Sequence, residues 1–329
     1  MSSAPSGLVP TSATLCAIGN FDGVHRGHVH VLTRAAREAE ALGIIPLALT
    51  FDPPPAVVLG RKTPAALTPL ERKIELIEHA LPSMRVVVQR FDRALAASGP
   101  EQFARDVLVK QLRAARVVVG ENFRFGRERV GDLSTLISLG RQLGFLAKAT
   151  EIVGDEKGPW SSTRIRRAIE VGDWTDVQVV LGRPHALTGT VVRGDQRGRT
   201  IGFPTANLGA VEEVFPPFGV YAVLVDRLDG PPSEPRAFGR GVANVGIRPT
   251  VGGATPSTEV HLLDLPSGGG QGPDLYGARL RMYLVSHLRA ERKFANLDEL
   301  RRQIMVDAEQ ARAITSPKKP QPGPRGGWY

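Results

Sequence analysis

Over the first half of the chain, short apolar runs alternate with stretches of helical periodicity. Ala13 to Ile18 is an apolar run and predicts a buried strand. Val31, Leu32, Ala35, Ala39 and Leu42 then recur at helical spacing, and Gly43 suits the residue after a helix end. Ile44 to Thr50 is a second apolar run, so these segments predict a βαβ unit opening a parallel sheet. The alternation continues. Thr68-Pro69-Leu70-Glu71 reads as a capping box with proline at the first helical position, starting a helix to about Leu81. A strand follows at Arg85 to Val88, and Ser98-Gly99-Pro100-Glu101 repeats the capping pattern before a helix to about Leu112. Ala115 to Val119 predicts a strand, Leu133 to Leu143 a helix, and Phe145 to Val153 another strand. Such alternation predicts a doubly wound α/β domain.

From His185 helical periodicity disappears until about Leu297. Short β-rich runs take its place: Leu187 to Val192, Val220 to Val225, Gly241 to Val245, Thr258 to Leu263 and Leu280 to Leu284. Glycine and proline turns separate them, which predicts an antiparallel barrel or sandwich. The loops Asp229 to Pro235 and Pro266 to Pro273 are low in complexity and expected to be mobile. Leu297, Leu300, Ile304 and Ala308 mark a closing amphipathic helix. The expected organisation is a flexible N-terminus over 1–12, an α/β domain over 13–183, a β domain over 184–315 and a disordered tail over 316–329.

Composition narrows the function classes. The chain has 329 residues, 42% of them hydrophobic, enough for ordinary cores. No run approaches the ~20 apolar residues of a membrane helix. Met1 to Pro10 has no basic region followed by an apolar stretch, so no secretion signal is read there. Cys16 is the sole cysteine, which excludes an intrachain disulfide and points to the cytoplasm. The net charge of +9 invites a nucleic-acid reading, but the arginines are spread along the chain and no aromatic-rich strand accompanies them. Spread positive charge also suits a protein whose substrates carry phosphates.

The chemistry concentrates in three strings. The first is Gly19-Asn20-Phe21-Asp22-Gly23-Val24-His25-Arg26-Gly27-His28, between the first strand and first helix. His25 and His28 share the first helical turn, where free backbone N–H groups and the positive dipole end favour anions. Zinc is the alternative for such a pair, but two histidines fall short of the three or four ligands zinc wants. The second string is Ser161-Ser162-Thr163-Arg164-Ile165-Arg166-Arg167. Arginines at a helix start oppose its dipole, and a bound anion would remove the conflict. Gly172-Asp173 then separates two short helices. The third string, Arg197 through Asn207, holds Gly198, Gly202, Pro204, Thr205 and Asn207 and follows Gly194. Its glycines suit a loop around phosphates. The Thr205 hydroxyl and the Asn207 carbonyl are oxygen ligands suited to magnesium.

Together these strings resemble the bifunctional prokaryotic riboflavin kinase/FAD synthetase family. The first resembles its nucleotidyltransferase signature, the second its Ser-Ser-Thr-x-Ile-Arg motif, with Trp160 where an aliphatic residue is usual, and the third its Gly-x-Pro-Thr-Ala-Asn kinase motif. Further matches follow in order, among them Gly241-Val242-Ala243-Asn244, Glu259-Val260-His261 and Leu288-Arg289. The resemblance implies a parallel-sheet nucleotidyltransferase domain followed by an antiparallel β-barrel kinase domain. It implies FMN from riboflavin and ATP, then FAD from FMN and ATP. The substrates and products it implies are riboflavin, FMN, FAD and ATP, with Mg2+ and no prosthetic group. Neither nucleic acid nor a membrane is expected as a partner, and self-association stays open.

By the same resemblance, Gly19, Asn20, Phe21, Asp22, His25, His28, Ser162, Thr163, Arg164 and Arg166 bind ATP for adenylyl transfer, with His28 catalytic. Asn122, Phe123, Phe125 and Arg289 contact flavin; many members carry aspartate where this chain has Asn122. Gly194, Gly198, Gly202, Pro204, Thr205 and Asn207 bind ATP for the kinase, with Thr205 and Asn207 as metal ligands and Glu259 as catalytic glutamate. Alone, Glu259 reads as an exposed strand residue. Two rivals are a chain with one live activity, against which both signature sets are intact, and a non-catalytic flavin- or RNA-binding barrel, which leaves two separate phosphate motifs unexplained.

Overall fold

The structure is a computed structural model, and it describes residues 12–194, 198, 201–228, 236–250, 253–264, 274–320 and 327–329. The loops expected to be mobile, and the N-terminus up to residue 11, lie outside the described residues. By its contacts the chain divides into two compact units: Met1–Pro64 with Thr68–Ser162, and Ala65–Leu67 with Thr163–Tyr329. That division falls inside the Ser-Ser-Thr string, earlier than the sequence boundary at residue 183.

The first unit is built on β1 (Thr14–Ile18), β2 (Ile45–Asp52), β3 (Arg85–Arg90), β4 (Ala114–Gly120) and β5 (Leu146–Thr150). All pair in parallel, in the order β3-β2-β1-β4-β5. Strand β1 is central and wholly buried, which is why it reads as an apolar run without alternation. Alternate residues feed two cores. Leu15 and Ala17 face α1 (Arg26–Ala41) and α3 (Leu70–Ala80), through Leu32, Ala35, Ala39, Leu76 and Ile77. Cys16 and Ile18 face the other side, with Phe103, Leu108, Leu136 and Leu139. Those residues lie on α5 (Pro100–Phe103), its π-helical continuation Ala104–Gln111, and α6 (Leu133–Leu143). Short helices α2 (Pro55–Val58) and α4 (Arg93–Ala97) complete the order. The chain leaves β1 toward β2 on one side and returns to β4 on the other, so the carboxyl ends of β1 and β4 flank a topological switch point.

Neither expected capping box forms. Helix α3 has Pro69 at its N-cap with no side-chain cap, because the Thr68 hydroxyl accepts from Gly23 N at 3.0 Å instead. Helix α5 has Gly99 at its N-cap, and Ser98 Oγ donates back to Leu95 O at 2.6 Å. In both cases a tertiary or upstream partner outcompetes the local one.

After a two-stranded hairpin, β6 (Gly154–Asp155) and β7 (Gly158–Pro159), come α7 (Ser162–Val171) and α8 (Trp174–Leu181). Then follow β8 (Ala186–Val192), β9 (Ala206–Gly209), β10 (Gly219–Arg227), β11 (Arg236–Thr250), β12 (Gly253–Leu262) and β13 (Arg279–Ala290). These six close an antiparallel barrel in the order β10-β11-β12-β9-β8-β13, which decides between barrel and sandwich. Leu187, Leu208, Tyr221, Val223, Val225, Ala243, Val260 and Met282 fill its interior. On its outer face α9 (Leu297–Thr315) covers Val220, Ala222 and Val242. Strand β10 is thus buried on both sides over nearly its whole length.

The last residues correct the expectation of a disordered tail. Trp328 is buried against Leu224 and Tyr283, continuing the cover that α9 begins. Its backbone N–H donates to Asp226 Oδ1 at 3.1 Å and its indole N–H to Val225 O at 3.1 Å. Two aromatic side chains on an unfilled apolar face outweigh the polar composition of the residues before them.

Candidate active sites

The first site is the turn between β1 and α1. Its backbone is unusual: Phe21 and Val24 have φ of 47° and 38°, and Gly23 has φ of 88°. Burial of both apolar side chains, at 3% and 2% exposure, holds that conformation in place. The turn is tied on several sides. Gly19 N donates to Leu49 O at 3.1 Å, and Thr50 Oγ1 donates to Asn20 O at 3.3 Å. Asp22 Oδ1 accepts from Thr68 N at 3.1 Å, and Asp22 O accepts from Ser162 Oγ at 2.8 Å. Ser162 thereby joins the first motif through a bond the sequence spacing of 140 residues does not announce.

His25 is the N-cap of α1, and its Nδ1 accepts from His28 N at 3.3 Å. The proton of the neutral ring therefore sits on Nε2. The two imidazoles stack with centroids 3.6 Å apart, and Phe21 meets His28 edge-on at 5.4 Å. Gly27 is required by close approach: a Cβ there would lie 3.0 Å from both the His25 ring and Trp160 O. Phe21 itself is a core residue, so its backbone rather than its ring borders the site. Asn20 is exposed and Asp22 half-buried.

After β4, Asn122 is exposed, Phe123 half-buried and Phe125 buried. The Phe123 and Phe125 rings stack at 5.4 Å, and Phe125 packs on Phe103 at 5.7 Å. Phe125 thus anchors the loop in the core, while Phe123 and Asn122 lie nearer solvent at the strand's carboxyl end.

Arg164 and Arg166 of the second motif have protein partners. Arg164 forms a two-pronged pair with Asp176 of α8, Nε to Oδ2 at 2.9 Å and Nη2 to Oδ1 at 2.6 Å. Arg166 Nη2 donates to Ala65 O at 3.1 Å. Thr163 is exposed. The anion that sequence reasoning sought for Arg164 is therefore Asp176, itself held by the N-cap of α8.

The second site lies on the outer face of the barrel. Residues Ala206 and Leu208 point inward, so Thr205 and Asn207, two apart, share the outward face. Register sets Glu259 opposite Asn207 on one side and Asn244 on the other, giving a polar row across β9, β12 and β11. Thr205 Oγ1 donates to Glu259 Oε2 at 3.4 Å. A Cβ on Gly194 would meet the Asn207 amide at 2.5 Å, so glycine is what lets that side chain lie against the backbone. Gly198 O accepts from Phe203 N at 2.8 Å, Gly202 has φ of 87°, and Pro204 O bonds His261 Nδ1 at 2.9 Å. Burial pushes the His261 imidazole below its ordinary pKa, favouring its neutral form. Arg197, Arg199 and Thr200 lie outside the described residues.

The sequence did not single out Asn244, Thr68 or Asp176 as site residues. Each reaches its site from another element, so no spacing within a motif could reveal it. Among the described residues no group of three or more histidine, cysteine or acidic side chains is placed to hold a metal ion. Thr205 and Asn207 do offer hard oxygen donors beside Glu259, a set compatible with magnesium.

Comparison with known proteins bears on both sites. The FAD synthetase family model matches residues 10–164 and the riboflavin kinase model residues 181–315. A bifunctional riboflavin kinase/FMN adenylyltransferase of Escherichia coli (strain K12) is 39% identical over 312 residues, covering 94% of this chain and 96% of that protein. The protein of the same description from Bacillus subtilis (strain 168) is 37% identical over 305 residues, 91% of each chain. A crystal structure titled a macrolide-efflux protein, from Streptococcus pneumoniae, superposes with a TM-score of 0.77 at 27% identity, over 93% of this chain and 96% of that one. Among the described residues no helix is long and apolar enough to cross a membrane. Fold and sites define a transferase with a parallel-sheet domain and a barrel domain. The chain belongs to the bifunctional riboflavin kinase/FMN adenylyltransferase family.

Proposed function

We infer that the chain phosphorylates riboflavin to FMN at the barrel and transfers AMP from ATP to FMN at the parallel sheet, releasing pyrophosphate. The observation that carries this reading is that the FAD synthetase model matches residues 10–164 and the riboflavin kinase model residues 181–315, each span holding its own glycine-bearing motif.

The two sites differ as the two nucleophiles differ. Riboflavin attacks through a neutral hydroxyl that must lose its proton, so a general base is required. Glu259 takes that role, its carboxylate oriented by the Thr205 hydroxyl. FMN attacks through a phosphate whose second pKa is about 6, so it is already ionised at neutral pH. Adenylyl transfer then needs alignment and charge stabilisation rather than a base. His25, His28 and the N-terminal end of α1 supply donors to the phosphates. Asn20 and Ser162 border the same turn, and Asp22 fixes it through Thr68. Arg164 acts through Asp176, shaping the start of α7. Thr205 and Asn207 would hold magnesium, which would supply neutralising charge to the transferred phosphoryl group. A single buried cysteine and spread positive charge support a cytoplasmic setting.

Chromatography of the products from riboflavin, ATP and magnesium tests the reading. FMN followed by FAD is expected, and FAD alone from supplied FMN. Absence of either product from folded protein overturns the corresponding half.

A further inference from the structure

Lys73 sits one turn into α3 with only 6% of its surface exposed, on the face turned toward the end of β2. Its Nζ donates to Thr50 Oγ1 at 3.4 Å, and Thr50 Oγ1 donates on to Asn20 O at 3.3 Å. Burial pushes the Lys73 ammonium below its ordinary pKa, and the charges of Asp22 and Asp52 oppose that shift. The same helix is docked on the turn by Thr68, whose N–H bonds Asp22 Oδ1 and whose hydroxyl takes Gly23 N–H. Two carboxylates at the carboxyl ends of β1 and β2 are poor neighbours for a nucleotide triphosphate and a second phosphate. A buried cation facing both removes that repulsion where solvent cannot.

We propose that Lys73 is a positioning residue for adenylyl transfer, offsetting Asp22 and Asp52 and holding the Asn20 carbonyl through Thr50 so that the turn accepts anionic phosphates. This rests on the reading that the Gly19–His28 turn takes the phosphates of ATP.

The test compares Lys73→Met, Lys73→Arg and Thr50→Val in the full chain, with riboflavin phosphorylation as control for an intact second unit and circular dichroism for folding. A misplaced turn costs ~100-fold in kcat for FAD formation in Lys73→Met, with Lys73→Arg within ~10-fold of wild type. In an Asp22→Asn background the cost of Lys73→Met shrinks, because one of the charges it offsets is gone. A wild-type kcat in folded Lys73→Met, or an undiminished cost beside Asp22→Asn, overturns the proposal. Should Lys73→Met fail to fold, Thr50→Val decides, with ~10-fold loss of kcat expected and an unchanged rate contradicting it. His28→Ala separates the two levels. If it leaves FAD formation intact, the site reading falls and this inference with it. If it abolishes FAD formation while Lys73→Met does not, this inference alone falls.

Discussion

Arg289 on β13 and Asp307 on α9 form a two-pronged ion pair, with Nε 3.0 Å and Nη2 2.8 Å from Oδ2. The Asp307 side chain is 2% exposed, and Gln303 Nε2 donates to its other oxygen at 2.7 Å. Arg289 Nη1 donates to Ala290 O at 3.1 Å, so all three guanidinium nitrogens are engaged within the barrel unit. The face of the guanidinium lies 5.6 Å from the Phe294 ring centroid. The arginine that resemblance assigns to flavin contact is, in this structure, the clamp between β13 and α9.

Removing Asp307 leaves the half-buried Arg289 without its carboxylate partner, at a cost of about 2 kcal/mol. Asp307→Ala is therefore expected to lower the urea midpoint for loss of riboflavin kinase activity. The midpoint for FAD formation from FMN should stay in place. Equal midpoints in mutant and wild type would show the pair to be dispensable.

His28→Ala removes a donor to the departing phosphates and should lower FAD formation by ~100-fold. FMN formation should barely change. Separate initial-rate assays with FMN and with riboflavin distinguish the two.

Glu259→Gln keeps size and hydrogen bonding with Thr205 but cannot accept the hydroxyl proton. FMN formation should fall ~100- to 10,000-fold, the range of general-base catalysis. FAD formation from supplied FMN should remain near wild type. A folded variant that phosphorylates riboflavin at the normal rate would place the base elsewhere.

Trp328→Ala uncovers Leu224 and Tyr283 and leaves Val225 O without its indole donor. Loss of a buried tryptophan costs about 3 kcal/mol or more. The kinase is expected to inactivate at lower temperature, measured as residual riboflavin phosphorylation after heating. Deletion of the last two residues should act the same way.

Burial pushes the Cys16 thiol from its ordinary 9.0 up to about 12. Its folded pKa is raised, so its contribution to stability is complete below pH 9 and lost as pH climbs toward 12. The native chain should not react with a thiol reagent at pH 8, and should react once denatured. Rapid labelling of folded protein would contradict the buried position.

Local patterning determined a good deal of this protein. Apolar runs at Ala13–Ile18 and Ile44–Thr50 announced buried strands, because a central parallel strand is covered on both faces and shows no alternation. The span of α6 was legible because Asp132 caps it and Gly144 ends it with local bonds alone. His25–His28 and Thr205–Asn207 were legible as pairs because their spacing sets a shared face. Strand β9 was not, since Pro204–Asn207 reads as a turn until β8 and β12 pair with it on either side. Only tertiary structure set Asn244 and Asn207 beside Glu259, paired Arg164 with Asp176 and Arg289 with Asp307, and brought Lys73 under the Asn20 turn. Those partners come from separate elements. Their meeting depends on strand register and helix docking, which no local window contains.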